Sequence, residues 1–158
     1  GFKDIEPIRA KDIHYADKFD ILVACTDLTQ NADIIGNAIM LLNIGKYEKV
    51  VISMDLVKIL PKKNKYLVFS ILNSKEFKNF ALGYKTGTTV LHLNKNCFKD
   101  FHIKVPDFDK IENFEKVVET NYKKISYNLE ENNTLTQLRD NLLPKLMNGE
   151  IDLDKIEI

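Results

Sequence analysis

Between Pro106 and Pro144 the chain has neither glycine nor proline. Apolar residues recur there at steps of three or four: Ile111, Phe114, Val118, Tyr122, Ile125, Leu129, Leu135, Leu138, Leu142 and, past the proline, Leu146. That period predicts one long α-helix. About 36 residues at 1.5 Å rise make a rod of about 55 Å, whose apolar stripe needs a partner along its length. Glu115, Lys116, Glu119, Lys123 and Lys124 fill the other faces, and the rhythm breaks around Asn132-Asn133. Two arrangements satisfy the stripe: a bundle helix packed on its own domain, or a coiled coil with a distant or second segment. The coiled coil is expected, because one domain of about 100 residues is too small to cover the rod. Val105-Pro106-Asp107 marks the start, since proline pushes the preceding residue out of helical geometry. The chain thus divides into a domain over 1–106, a helix over 107–150 and a tail over 151–158.

The first part reads as mixed strands and short helices. Phe19 to Ala24 and Lys49 to Ile52 have the apolar, β-branched character of buried strands, and Asp55 to Ile59 is a weaker candidate. Lys65 to Leu72 and Lys75 to Leu82 read as helices, with Ser74 as N-cap of the second. Gly83 and Gly87 bracket a loop at Tyr84-Lys85-Thr86. Thr88 to Leu93 reads as a strand, and Asn94 is placed to cap a short helix through Lys99. The fold class expected is α+β: a small mixed α/β domain followed by a long coiled-coil-forming helix.

The formal net charge of zero hides an asymmetry. Residues 1–106 carry sixteen Lys and Arg against eleven Asp and Glu, and residues 107–158 carry seven against twelve. A basic part joined to an acidic part suits a chain in which one segment meets phosphates and another does not. No apolar run approaches the length of a membrane span. Two cysteines, Cys25 and Cys97, are too few for a disulfide framework, so a reducing, cytoplasmic location is expected.

The sequence carries little that suits catalysis. No Gly-rich phosphate loop is present, and the methyl-donor and catalytic motifs of an adenine methyltransferase are missing. His92, Cys97 and His102 are spaced five apart, which fits no zinc pattern. The expected roles are structural, with His92 interrupting an apolar strand and Cys97 packing as a small hydrophobe. Asp27, among Thr26 and Thr29, reads as a loop cap rather than an acid–base catalyst. No catalytic residue, metal or cofactor is expected. What remains are two polar loops, Thr26 to Asn31 and Lys85 to Thr89, whose hydroxyls and amides suit phosphates and base edges. Arg9 is the single arginine of the basic part available for guanine.

The run from Leu135-Thr136-Gln137-Leu138-Arg139-Asp140-Asn141-Leu142-Leu143 through Pro144-Lys145-Leu146-Met147-Asn148-Gly149-Glu150-Ile151 closely resembles the repeated helical region of type I restriction-modification specificity subunits. Thr26-Asp27-Leu28-Thr29-Gln30 with Ile34-Ile35-Gly36 resembles the early part of one class of target recognition domain. Gly87 to Lys95, then Phe98, Phe101 and Val105-Pro106, resembles its closing segment. The resemblance implies a non-catalytic, sequence-specific DNA-binding subunit. In that family two recognition domains each read half of an interrupted site. Their long helices pack antiparallel, fix the separation of the halves and seat methylation subunits.

This chain has one such domain and one helix, and the domain's opening is short. It is therefore expected to be half of a longer subunit or a half-sized one that pairs as a homodimer. The DNA face is expected at Thr26, Thr29, Gln30, Asn31, Lys85, Thr86, Thr88 and Thr89. Helix pairing is expected at Ile111, Phe114, Val118, Tyr122 and Ile125, and methylation-subunit contact at Leu135, Leu138, Arg139, Leu142 and Leu143. The partners implied are double-stranded DNA and the methylation and restriction subunits. The alternatives are a coiled-coil adaptor that does not touch DNA, and a recognition module of a fused restriction–methylation enzyme.

Overall fold

A computed structural model describes residues 3–6, 10–29 and 31–151, so Arg9, Gln30 and the tail beyond Ile151 lie outside the described residues. After a single 3-10 turn at Asp12–His14, the strands are β1 Tyr15–Ala16, β2 Ile21–Ala24, β3 Thr26–Asp27, β4 Ala38–Met40, β5 Val50–Val51 and β6 Leu56–Ile59. Helices α1 Lys65–Leu72 and α2 Lys75–Leu82 follow, then β7 Lys85–Thr86, β8 Leu91–Leu93, α3 Cys97–Asp100 and α4 Phe108–Met147. The chain is therefore α+β and ends in a long helix.

β2 is the centre of an antiparallel sheet ordered β4-β2-β6, and its apolar run is covered on both faces. Ile21 and Val23 enter the main core with Tyr66, Phe69, Phe77, Leu91 and Leu93. Leu22 points the other way, into a smaller cluster with Ala16, Leu41 and Val50. A strand covered on both faces reads as a continuous apolar run, as this one does. At Cys25 the chain changes sheets: its N–H donates to the Asp55 carbonyl, and its own carbonyl accepts from Leu93 N–H. β3 then joins a second sheet, ordered β3-β8-β7.

Both short helices occupy their expected bounds, and the Ser74 hydroxyl accepts from Phe77 N–H at 3.1 Å. The strand expected over Thr88 to Leu93 shortens to Leu91–Leu93. Gly87, at φ +100°, turns the chain so tightly that a Cβ there would sit 2.2 Å from the Val90 carbonyl oxygen. Asn94 acts just before the last short helix rather than as its cap. Its Oδ1 accepts from Asn96 N–H, and its carbonyl accepts from Cys97 N–H.

α4 runs 40 residues, or about 60 Å. Pro144 sits in its last turn, and Gly149, at φ +73°, closes it with N–H donated to the Leu146 carbonyl. The first half lies on the domain. Val118 and Tyr122 pack against the main core, and Ile111 is buried. Tyr122 stacks on Tyr66 with ring centres 5.8 Å apart and meets Phe69 edge-on at 5.6 Å.

Polar contacts finish the joint. Asn64 begins α1 in a left-handed conformation without a side-chain cap. Glu115 of α4 supplies one instead, accepting from Tyr66 N–H at 3.2 Å and Leu67 N–H at 2.6 Å. The Ser126 hydroxyl donates to the Leu42 carbonyl at 2.6 Å, and Lys18 pairs with Glu130 at 2.6 Å. From residue 131 to 147 every position of the helix is exposed.

Of the residues expected in an intermolecular seam, Ile111, Phe114, Val118, Tyr122 and Ile125, three lie against the chain's own domain. Ile111, Val118 and Tyr122 face the chain's own domain, while Phe114 and Ile125 stay 37% and 45% exposed at the edge of that contact. The domain covers the first half of the helix and leaves residues 131–147 exposed.

Candidate nucleic-acid interface

The loop after β3 is held by one carboxylate. Asp27 is 2% exposed. Its Oδ1 accepts from the N–H and the hydroxyl of Thr29, each at 2.8 Å, and its Oδ2 accepts from Ile34 N–H at 2.8 Å. An aspartate before a turn can bond backbone two residues on; here the second oxygen also closes the far side of the loop. Gly36 then donates its N–H back to the Ala24 carbonyl. The bonds from Ile34 and Thr29 hold the Asp27 carboxyl below its usual range, outweighing the opposing effect of burial.

A carboxyl with a lowered folded-state pKa stabilises the loop above the ordinary aspartate value near 3.9, and that contribution fades as pH falls through the lowered value. Ile34 N–H should therefore lose hydrogen-exchange protection in acid ahead of the strand amides. In Asp27→Asn, Ile34 should be poorly protected at every pH. Full protection in the variant would show that the carboxylate does not hold the loop.

The antiparallel register sets Thr26 and Thr86 on either side of His92, and Asp27 opposite Leu91. The loop leaving Asp27 and the turn at Gly87–Val90 therefore emerge at one end of the sheet, although about 60 positions separate them in sequence. Residues expected at the DNA face are thus gathered there: Thr29 and Asn31 from one loop, Thr88 and Thr89 from the other, all exposed. Gln30 is outside the described residues.

Several expected contacts are already engaged. Thr29 gives its hydroxyl hydrogen to Asp27, and Thr86 donates to the His92 carbonyl at 3.3 Å. Lys85 pairs in register with buried Leu93, so it leaves the sheet on the side opposite Thr86, at an exposed edge. Lys78 donates to the Asp33 carbonyl at 2.7 Å and to Asn37 Oδ1.

His92, expected to interrupt an apolar strand, is the exposed residue of the middle strand. The alternation Leu91-His92-Leu93, buried–exposed–buried, carried that signal in the sequence itself. His92, Cys97 and His102 do not converge: Cys97 is fully buried, and His102 Nδ1 lies 2.7 Å from the Asp100 carbonyl. Burial, helped by the neighbouring Cys25, pushes the Cys97 thiol up to about 11, so it is protonated at neutral pH and a poor nucleophile. Among the described residues, no three His, Cys, Asp or Glu side chains form a group suited to a metal ion. Beside the smaller apolar cluster, a groove of about 840 Å³ is lined by Tyr15, Leu22, Leu41, Tyr47 and Val50 among others, with no histidine or cysteine.

Along α4, Leu135, Leu138, Leu142 and Leu143 are exposed, and Arg139 pairs only with its neighbour Asp140 at 2.7 Å. Among the described residues, no helix is long and apolar enough to cross a membrane.

Comparison with known proteins adds one similarity. Over 78 residues the chain is 41% identical to the type I restriction enzyme HindI specificity subunit of Haemophilus influenzae. The match covers 49% of this chain and 16% of that relative. No family model matches the chain.

Proposed function

We propose that this chain is the DNA-reading and spacer portion of a type I restriction-modification specificity subunit, directing methylation and restriction partners to an interrupted site in double-stranded DNA. The 41% identity to such a subunit carries the reading. Its surface chemistry supports the DNA-binding role: two polar loops, brought to one end of a sheet, present hydroxyls and an amide. The subunit itself is non-catalytic and works in the cytoplasm, with methyl transfer and cleavage left to its partners.

The DNA face comprises Thr26, Thr29, Gln30, Asn31, Thr86, Thr88 and Thr89, with Lys85 at its margin. A flexible ammonium at a sheet edge suits a phosphate better than a base. Lys85→Ala should weaken binding to every duplex alike and lower the slope of log affinity against log salt by about 1. An unchanged slope would remove Lys85 from the interface.

Pairing with a second copy or a second recognition half uses the edge of α4 left open by docking, at Phe114, Val117 and Ile125. The exposed leucines and Arg139 beyond residue 131 seat the methylation subunit. The whole reading is tested by methylation mapping in a methylation-deficient host expressing the chain with its neighbouring methylation subunit. A palindromic interrupted motif establishes recognition by a symmetric pair, because dimer symmetry imposes itself on the DNA. A non-palindromic motif means a second recognition domain acts in trans. Absence of any methylation from soluble, co-purifying proteins would overturn DNA reading by this chain.

A further inference from the structure

Three strands place Thr26, His92 and Thr86 in one row, because residues in register across a sheet share a face. Leu91 and Leu93 are buried, so His92 stands outward between the two threonines. The row sits beside the end of the sheet where both polar loops emerge. Its hydrogen bonds are unequally spent. Thr86 gives its hydroxyl to the His92 carbonyl, and Thr26 Oγ1 lies 3.4 Å from His92 Nδ1. The imidazole is thus held at one nitrogen, and its Nε2 has no hydrogen-bond partner among the described residues. An oriented ring with one unspent polar atom is better prepared to recognise a ligand than a rotating hydroxyl, since less conformational freedom is lost on binding.

We propose that His92 reads one base of the target through Nε2, and that Thr26 is its positioning residue. The inference rests on the DNA-reading role above and changes who does the reading: Thr26 contacts the ring, and Thr86 bonds only the His92 backbone carbonyl. Nε2 donates to the base edge when Nδ1 accepts from Thr26, and accepts from it in the other tautomer. Either way there is one hydrogen bond, so discrimination is confined to one position of the half-site.

The test selects from a pool of random-sequence duplexes with the chain co-purified with its methylation subunit. His92→Ala should lose about tenfold of its preference at a single position while the rest of the motif stays. Thr26→Val should relax the same position, and the double variant should be no worse than His92→Ala, as expected of a residue acting through another. His92→Gln keeps a hydrogen-bonding side chain at an exposed site and should alter the preferred base there. A motif unchanged in both the alanine and glutamine variants overturns the assignment, as does a uniform loss across all positions. A wild-type complex that enriches no motif overturns the DNA-reading role itself, which separates the two failures.

Discussion

Tyr122→Ala should detach the first half of α4 from the domain and cost about 3 kcal/mol of stability. The ring stacks on Tyr66 and meets Phe69 edge-on, so truncation removes buried apolar area and two aromatic contacts together. Large-to-small aromatic changes in cores cost about 3–5 kcal/mol, and Tyr122 is only partly buried, which places it at the low end. For a chain of this size that is a fall in Tm of about 10 °C. Denaturant and thermal unfolding would read it. A change below about 0.5 kcal/mol would mean that the first half of α4 does not lie on the domain in solution.

Leu138→Asp, in the same helix, should do the reverse. Leu138 is 52% exposed and packs on nothing among the described residues, so the substitution should leave the stability of the chain within about 0.5 kcal/mol of the original. Seated against a methylation subunit, the new carboxylate would be buried without a counter-charge, which costs several kcal/mol. Co-purification with that subunit should therefore fail, corresponding to an affinity loss of at least about a hundredfold. Retained co-purification would move the contact elsewhere. The pair of substitutions separates the docking of the first half of the helix on the domain from the partner contact proposed for its second half.

The readable parts of this fold were the ones governed by local chemistry. α1 and α2 were bounded by their own periodicity and by the hydroxyl of Ser74, and β2 declared itself by an apolar run. β1, β3 and β7 are two residues long, too short for any periodicity to register, and exist only through their partners. The apolar stripe of α4 was plain in the sequence, but a stripe does not say what it faces. Ile111, Val118 and Tyr122 turned out to face the domain, and nothing local distinguishes them from Leu135 or Leu138. Glu115 looked like one more surface charge. Its role as the cap of α1 depends on a contact 48 and 49 positions away. At the candidate interface, both loops were visible by composition, while their meeting at one sheet end required the pairing of β3 with β8.

That long-range cap bears on how such chains can be recombined. A cut at Pro106, where the sequence marks a boundary, would strip α1 of the carboxylate that satisfies its first amides and of the ring that covers Tyr66 and Phe69. The contacts between α4 and the domain continue to Glu130, which pairs with Lys18. A chimera that grafts new specificity onto a foreign spacer should be joined beyond that residue, where the helix has parted from the domain and the crossover disturbs no packing.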